Sequence, residues 1–170
     1  MSYINRAYVI YDRNHDTWAY NRIKRCNLLQ TCNFNFSALN IIYQMWIKTE
    51  NEQYIRSKLK KEFQHADQVI VFIGEKTKNL NTYMKCEIEV ALELDIPVIG
   101  VNLNGKRNID YFLCPPIMRN KYIIFIPFNM KIIQCALEHF PSEYERRNFQ
   151  NNGPRFYNDL VYQHLGVQYE

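Results

Sequence analysis

The sequence predicts an α/β fold in three layers, a mostly parallel sheet covered by helices on both faces. Three observations carry this. Short apolar runs without polar alternation recur along the chain, as at 7–11 (AYVIY), 68–73 (QVIVFI) and 122–127 (YIIFIP), the pattern of strands buried on both faces. Segments with apolar residues at helical spacing lie between most of them. Nearly every run stops at a polar loop, a glycine or a proline, the punctuation of successive βα units.

Taken in order, strand one covers 7–11 and closes at Asp12, Arg13 and Asn14, and a helical segment follows over 16–29. Residues 32–37 (CNFNFS) alternate apolar and polar with period two, as an edge strand does. In the helix expected over 51–66, Ile55, Leu59 and Phe63 recur every four residues with lysines between them. The run 68–73 is the central strand and ends at Gly74 before the polar loop EKTKNLN. Asn81 or Thr82 caps a helix that runs to about Leu94, and Ile96-Pro97 stops it before the strand PVIGVN. An irregular stretch over 104–120 holds Gly105, Pro115 and Pro116; a fifth strand at 122–127 and an amphipathic segment at 130–140 follow. With right-handed crossovers this gives five strands in the flavodoxin-like order 2-1-3-4-5. Residues 1–141 form the domain, and 142–170 form a polar, aromatic tail packed on the core, with a turn at Asn152-Gly153-Pro154 and a short helix over 159–165.

Composition narrows the function classes. At 47% apolar and 22% charged residues the chain is an ordinary globular one, neither disordered nor fibrous. No apolar run approaches the roughly 20 residues of a membrane span, and the amino end lacks the pattern of a signal peptide, so the expected location is cytoplasmic with no membrane partner. The five cysteines are scattered without a C-x-x-C pair and read as reduced thiols; together with four isolated histidines they predict no metal site. A net charge of +4 spread along the chain, without an arginine-rich aromatic block, argues against nucleic acid.

Open α/β sheets bind ligands beyond the carboxyl ends of their strands, where the strand order reverses. The loops at that edge carry Asp12, Arg13, Asn14, His15 and Asp16 after strand one, Ser37 and Asn40 after strand two, and Glu75 through Asn81 after strand three. On the helix after strand three, Met84, Ile88, Ala91 and Leu92 share one apolar sector and Glu89 and Glu93 face away, yet Glu87 falls inside the apolar sector. A carboxylate there is partly desolvated, which raises its pKa and marks it as a functional candidate. The residues alone leave a second role open, a rim carboxylate that reaches water or pairs with a lysine. Tyr83, one turn earlier, either stacks on a ligand ring or packs, and Trp18 poses the same choice. Thr77 and Lys78 offer a hydroxyl and a positive charge to a phosphate or ribose, although such loops are common without any ligand. Neither G-x-G-x-x-G nor G-x-x-x-x-G-K-[ST] is present.

The segments YVIYDRNHD, ADQVIVFIGEKTKNL, YMKCEIEVALELDIPVIGVNLNG and IPFNMKIIQCALE resemble the bacterial and archaeal TIR-like family typified by the NAD-processing partner of the Thoeris anti-phage system. The resemblance covers about residues 5 to 140. YMKCEI is similar to that family's aromatic-x-x-x-Glu-Ile pattern, with Tyr83 and Glu87 in the matching places. The resemblance implies an NAD-consuming enzyme that uses NAD as substrate and needs no further cofactor. Glu87 would engage the ribose beside nicotinamide, and Asp12, Asn14, Ser37, Thr77, Lys78 and Tyr83 would contribute to substrate binding. Nicotinamide would leave, and an ADP-ribose-derived product, either a cyclic isomer or a conjugate, would serve as a signal to a downstream effector. It also implies assembly into a homo-oligomer through contacts between TIR domains. The stretch after strand two departs from the family pattern: SALNIIYQMWIKTENEQ reads as an apolar, aromatic loop with Ile41, Ile42, Met45 and Trp46 exposed, which favours the alternative of a non-catalytic self-association module. A phospho-receiver is disfavoured because strand three ends Ile73-Gly74-Glu75 with no acceptor aspartate.

Overall fold

A computed structural model describes residues 6–28 and 35–168. The strands are β1 (Arg6–Ile10), β2 (Asn35–Ser37), β3 (Gln68–Ile73), β4 (Val98–Asn102), β5 (Ile124–Pro127) and β6 (Arg155–Phe156). The helices are α1 (Thr17–Leu28), α2 (Asn40–Thr49), α3 (Glu52–Phe63), α4 (Thr82–Glu93), α5 (Met130–Glu145) and α6 (Asp159–His164), with a 3-10 turn at Pro116–Met118. All neighbouring strands pair in parallel, in the order β2-β1-β3-β4-β5-β6.

Side chains alternate across the sheet, as strand geometry requires. Ala7, Val9, Ile70, Phe72, Ile99, Val101, Ile124 and Ile126 point into one core with α1, α5 and Tyr162 of α6. Tyr8, Ile10, Val69, Val71, Ile73, Val98 and Phe125 point into the other, with α2, α3 and α4. The central strands β1, β3, β4 and β5 are apolar along most of their length because both faces are covered. At about 1.5–3 kcal/mol for each large apolar side chain removed from water, these two cores supply the main driving force for folding.

Three features differ from the sequence expectation. Among the described residues the sheet has six strands, not five: β6 comes from the segment read as a tail, with Arg155 and Phe156 opposite Ile124 and Phe125. A two-residue strand after Gly153-Pro154 has no alternation to announce it. The apolar stretch after strand two is helix α2, not a loop, and Ile42 is buried while Ile41 is exposed. Its apolar residues lie on more than one face and Leu39 gives it no side-chain cap, so neither of the usual helix signals is present. The amphipathic segment expected over 130–140 continues through Pro141 to Glu145, past the expected domain boundary at 141. Proline has no N–H to give the carbonyl four residues back; here that carbonyl, Leu137, receives the side-chain Nε2–H of buried Gln68 at 3.1 Å instead. The early part of the expected second strand, 32–34, lies outside the described residues.

Candidate active site

The three loops at the carboxyl edge of β1, β2 and β3 meet where the strand order reverses, between β1 and β3. The loop after β1 is a tight turn. Asp12 O accepts the N–H groups of His15 at 3.2 Å and Asp16 at 2.8 Å, and its carboxylate accepts Asn14 N–H at 2.9 Å and pairs with His15 Nδ1 at 2.8 Å. This fold of the loop turns Asp12 inward and sends the Arg13 side chain across the sheet edge toward α4.

Helix α4 begins on a side-chain cap, Asn81 Oδ1 accepting Met84 N–H at 2.8 Å. That start puts Tyr83 and Glu87 one turn apart on the buried side, each 1% exposed. Arg13 meets Glu87 there: Nη2 donates to Oε1 at 3.4 Å and Nη1 to Oε2 at 3.5 Å. The guanidinium carbon lies 5.1 Å from the ring centre of Tyr11, 4.6 Å from Tyr43 and 5.0 Å from Tyr83, within cation–π range of all three. Tyr43 comes from α2 and stands edge-on to Tyr83 at 5.1 Å; Tyr83 O–H donates to Leu39 O at 3.3 Å, and Arg13 Nε to Asn40 Oδ1 at 3.3 Å. The start of α2 therefore forms one wall of the site.

Burial pushes the Glu87 carboxyl up to about 7, against the opposing pull of the Arg13 cation. Burial and the neighbouring Glu87 charge raise the Tyr83 phenol, which stays protonated. Burial works against the Arg13 charge, but Glu87 and Tyr83 outweigh it, so Arg13 is held firmly cationic. A buried carboxylate that titrates near neutrality, faced by a cation among tyrosine rings, suits chemistry in which positive charge develops or departs.

The other expected residues fall differently. Thr77 is buried and closes the turn after β3, its hydroxyl accepting Gly74 N–H at 2.8 Å, so that oxygen is occupied within the chain. Lys78 and Asn14 are exposed. Ser37 ends β2 and lines a cavity of about 320 Å³ with residues of α2 and α3. On the opposite side of the β1 loop, buried Asp16 sits against Gly74, where an added Cβ would lie 2.5 Å from both carboxylate oxygens. Asp16 Oδ2 has no hydrogen-bond partner among the described residues, and burial, with Asp12 nearby, lifts this carboxyl to about 6. Sequence reasoning placed Arg13, Tyr11 and Tyr43 in or near the edge loops but gave them no role. The signal was an arginine in the first loop with a buried glutamate in reach across the strand reversal, which only the tertiary fold brings together.

The family model described as Thoeris protein ThsB, TIR-like domain, matches residues 8–108. The chain belongs to the Thoeris TIR-like family. That match takes in every residue of the cage, from Tyr11 and Arg13 through Tyr43 to Tyr83 and Glu87. Membership makes the chain a TIR-like, defence-related protein, and the six-stranded parallel sheet with helices on both faces is consistent with the flavodoxin-like fold of TIR-like domains. No curated protein matches the chain. Among the described residues of this Thoeris TIR-like chain, no helix is long and apolar enough to cross a membrane, and no group of three or more metal-ligating side chains comes together.

Proposed function

We propose that the chain is an NAD-consuming enzyme that breaks the bond between nicotinamide and ribose and makes an ADP-ribose-derived signal for defence. The observation that carries the reading is Glu87, a buried carboxylate facing a cation held among tyrosine rings at the ligand edge of the sheet. NAD carries its positive charge on the nicotinamide ring. As the C1′–N bond breaks, the bonding electrons go to the ring nitrogen and nicotinamide leaves neutral, while positive charge appears on the ribose. The Glu87 carboxylate, in a water-poor site, stabilises that charge, and the tyrosine faces favour the cationic ring before it leaves. Attack of water at C1′ then gives ADP-ribose; attack by a hydroxyl or ring nitrogen of the same molecule gives a cyclic isomer, and by another acceptor a conjugate. NAD is the substrate, and no additional cofactor enters the scheme.

The test is to incubate the purified chain with NAD at low and high protein concentration and follow nicotinamide and nucleotide products by chromatography, with Glu87→Gln in parallel. Release of nicotinamide by the parent and not by the variant is expected. Silence of the parent at every concentration, also in lysate of phage-infected cells, together with no NAD binding by calorimetry, overturns the reading. A second reading, a self-association module, draws on α2, where Ile41 and Ile47 are exposed; loss of association in an Ile41→Lys variant with no NAD turnover in the parent would favour it.

A further inference from the structure

We infer that Arg13 is a built-in plug: in the resting chain its guanidinium fills the cage of Tyr11, Tyr43, Tyr83 and Glu87 that receives a planar organic cation, and it must swing out for that cation to enter. The inference rests on the reading of Glu87 as the group that faces the substrate's charged ring. Both cations are flat, monovalent and delocalised, and a ring of aromatic faces closed by a carboxylate selects that shape and charge over a compact ammonium. With the Arg13 side chain in place Glu87 is 1% exposed, so a ligand reaches the carboxylate only after this side chain has moved.

The contact is loose where a purely structural pair would be tight. Charge-assisted N–H···O bonds close to about 2.7–2.9 Å, and Arg56 in this same chain reaches Glu89 and Glu93 at 2.7 Å. Arg13 stays at 3.4 and 3.5 Å from Glu87 while its guanidinium carbon keeps within 4.6–5.1 Å of three ring centres. Its backbone is fixed independently, the carbonyl accepting Thr17 Oγ1–H at 2.9 Å, so the side chain can leave by rotation about its own bonds while the loop stays put. At 9% exposure the side chain is not fully sealed from solvent.

A cage open in only 1–10% of molecules weakens a ligand's apparent affinity by that fraction. The test uses the 1-methylnicotinamide cation as the probe. Its binding to the full chain and to Arg13→Ala is measured by calorimetry at pH 8, with circular dichroism to verify folding. The variant is expected to bind roughly ten- to a hundredfold more tightly. Equal or weaker binding by a folded variant, or no binding by either protein, overturns the plug; weaker binding would make Arg13 a part of the ligand site instead. A second measurement needs no variant. Phenylglyoxal modification of Arg13, followed by mass spectrometry of its peptide, is expected to speed up when the parent is saturated with the probe, and unchanged or slowed modification overturns the inference. NAD turnover is scored separately. Tighter probe binding with neither NAD binding nor NAD cleavage by either protein, also in lysate of phage-infected cells, keeps the plug and removes the enzyme reading; cleavage by the parent with probe binding unaltered by the substitution does the reverse.

Discussion

Replacing Glu87 by glutamine is expected to make the protein more stable above neutral pH and to leave it unchanged in acid. The carboxyl binds its proton more tightly in the folded chain, near 7, than at its ordinary 4.5. Below 4.5 the group is protonated in both states and its folded-state advantage is complete. As pH rises through 4.5 the unfolded chain ionises first, that advantage falls away, and above 7 the folded chain carries the full cost of a buried charge. The interval is worth about 3 kcal/mol, at about 1.4 kcal/mol for each tenfold change in proton affinity. The Arg13 cation is present in both protonation states, so its attraction is already contained in that figure. Glutamine keeps an acceptor for Arg13 without the charge and mimics the protonated acid. Urea unfolding of parent and variant at pH 5, 7 and 9 reads the difference directly. A difference below about 1 kcal/mol at pH 5 growing to roughly 3 kcal/mol in the variant's favour at pH 9 is expected, a melting shift of roughly 6–12 °C at the upper end for a chain of this size. A variant less stable at pH 9, or a difference that does not vary with pH, refutes the argument that burial dominates over the Arg13 pair. Such a gain would identify Glu87 as a residue kept at a cost in stability, as functional groups commonly are.

Other substitutions probe the scaffold. Gln68→Leu removes the donor that serves Leu137 O below Pro141 and is expected to cost about 1–3 kcal/mol by urea unfolding, with Pro141→Ala in the same chain recovering part of it. Gly74→Ala drives a methyl group into the Asp16 carboxylate and is expected to lose about 1–3 kcal/mol; in a double-mutant cycle with Asp16→Ala the loss shrinks, whereas full additivity would show that the two sites do not touch. Tyr83→Phe keeps the ring facing Arg13 and drops the bond to Leu39 O, for an expected cost of about 0.5–1.5 kcal/mol in the same assay. NAD binding is expected to survive that change, and its loss would show that the hydroxyl rather than the ring serves the ligand.

How much was legible in the sequence depended on whether a residue's role was local. β3 stood out because five apolar residues in a row, Val69 to Ile73, ending at Gly74 leave no other assignment, and α4 because its cap, Asn81, and its apolar sector agree. Glu87 could be flagged from helical angle alone, since a charge in an apolar sector is an inconsistency visible in one dimension. Its partner could not be. Arg13 lies 74 residues away, and nothing local distinguishes it from any loop arginine. Helix α2 was hidden for the opposite reason: Ile41, Tyr43, Trp46 and Ile47 are apolar beyond what one buried face needs, because Tyr43 and Trp46 stand against the ring of Tyr83. Thr77 was ambiguous because a threonine that closes a turn and one that offers a hydroxyl to a ligand are written alike.

Burial on both faces has a consequence for how the strands find their partners. Where one face is wet, a slip of one residue exposes apolar side chains and is rejected; here a slipped strand would present apolar groups to both cores and the pattern alone would not object. Discrimination falls to the few strand residues that fit in one place. Gln68 reaches the Leu137 carbonyl of α5 from the start of β3, Asn102 ends β4 by donating to Lys106 O and Asn108 O, both at 2.8 Å, and Gly100 leaves room for the Phe125 ring, which a Cβ would meet at 2.8 Å. These three positions contribute little to the bulk of the core, yet they select one strand alignment among several of similar hydrophobicity.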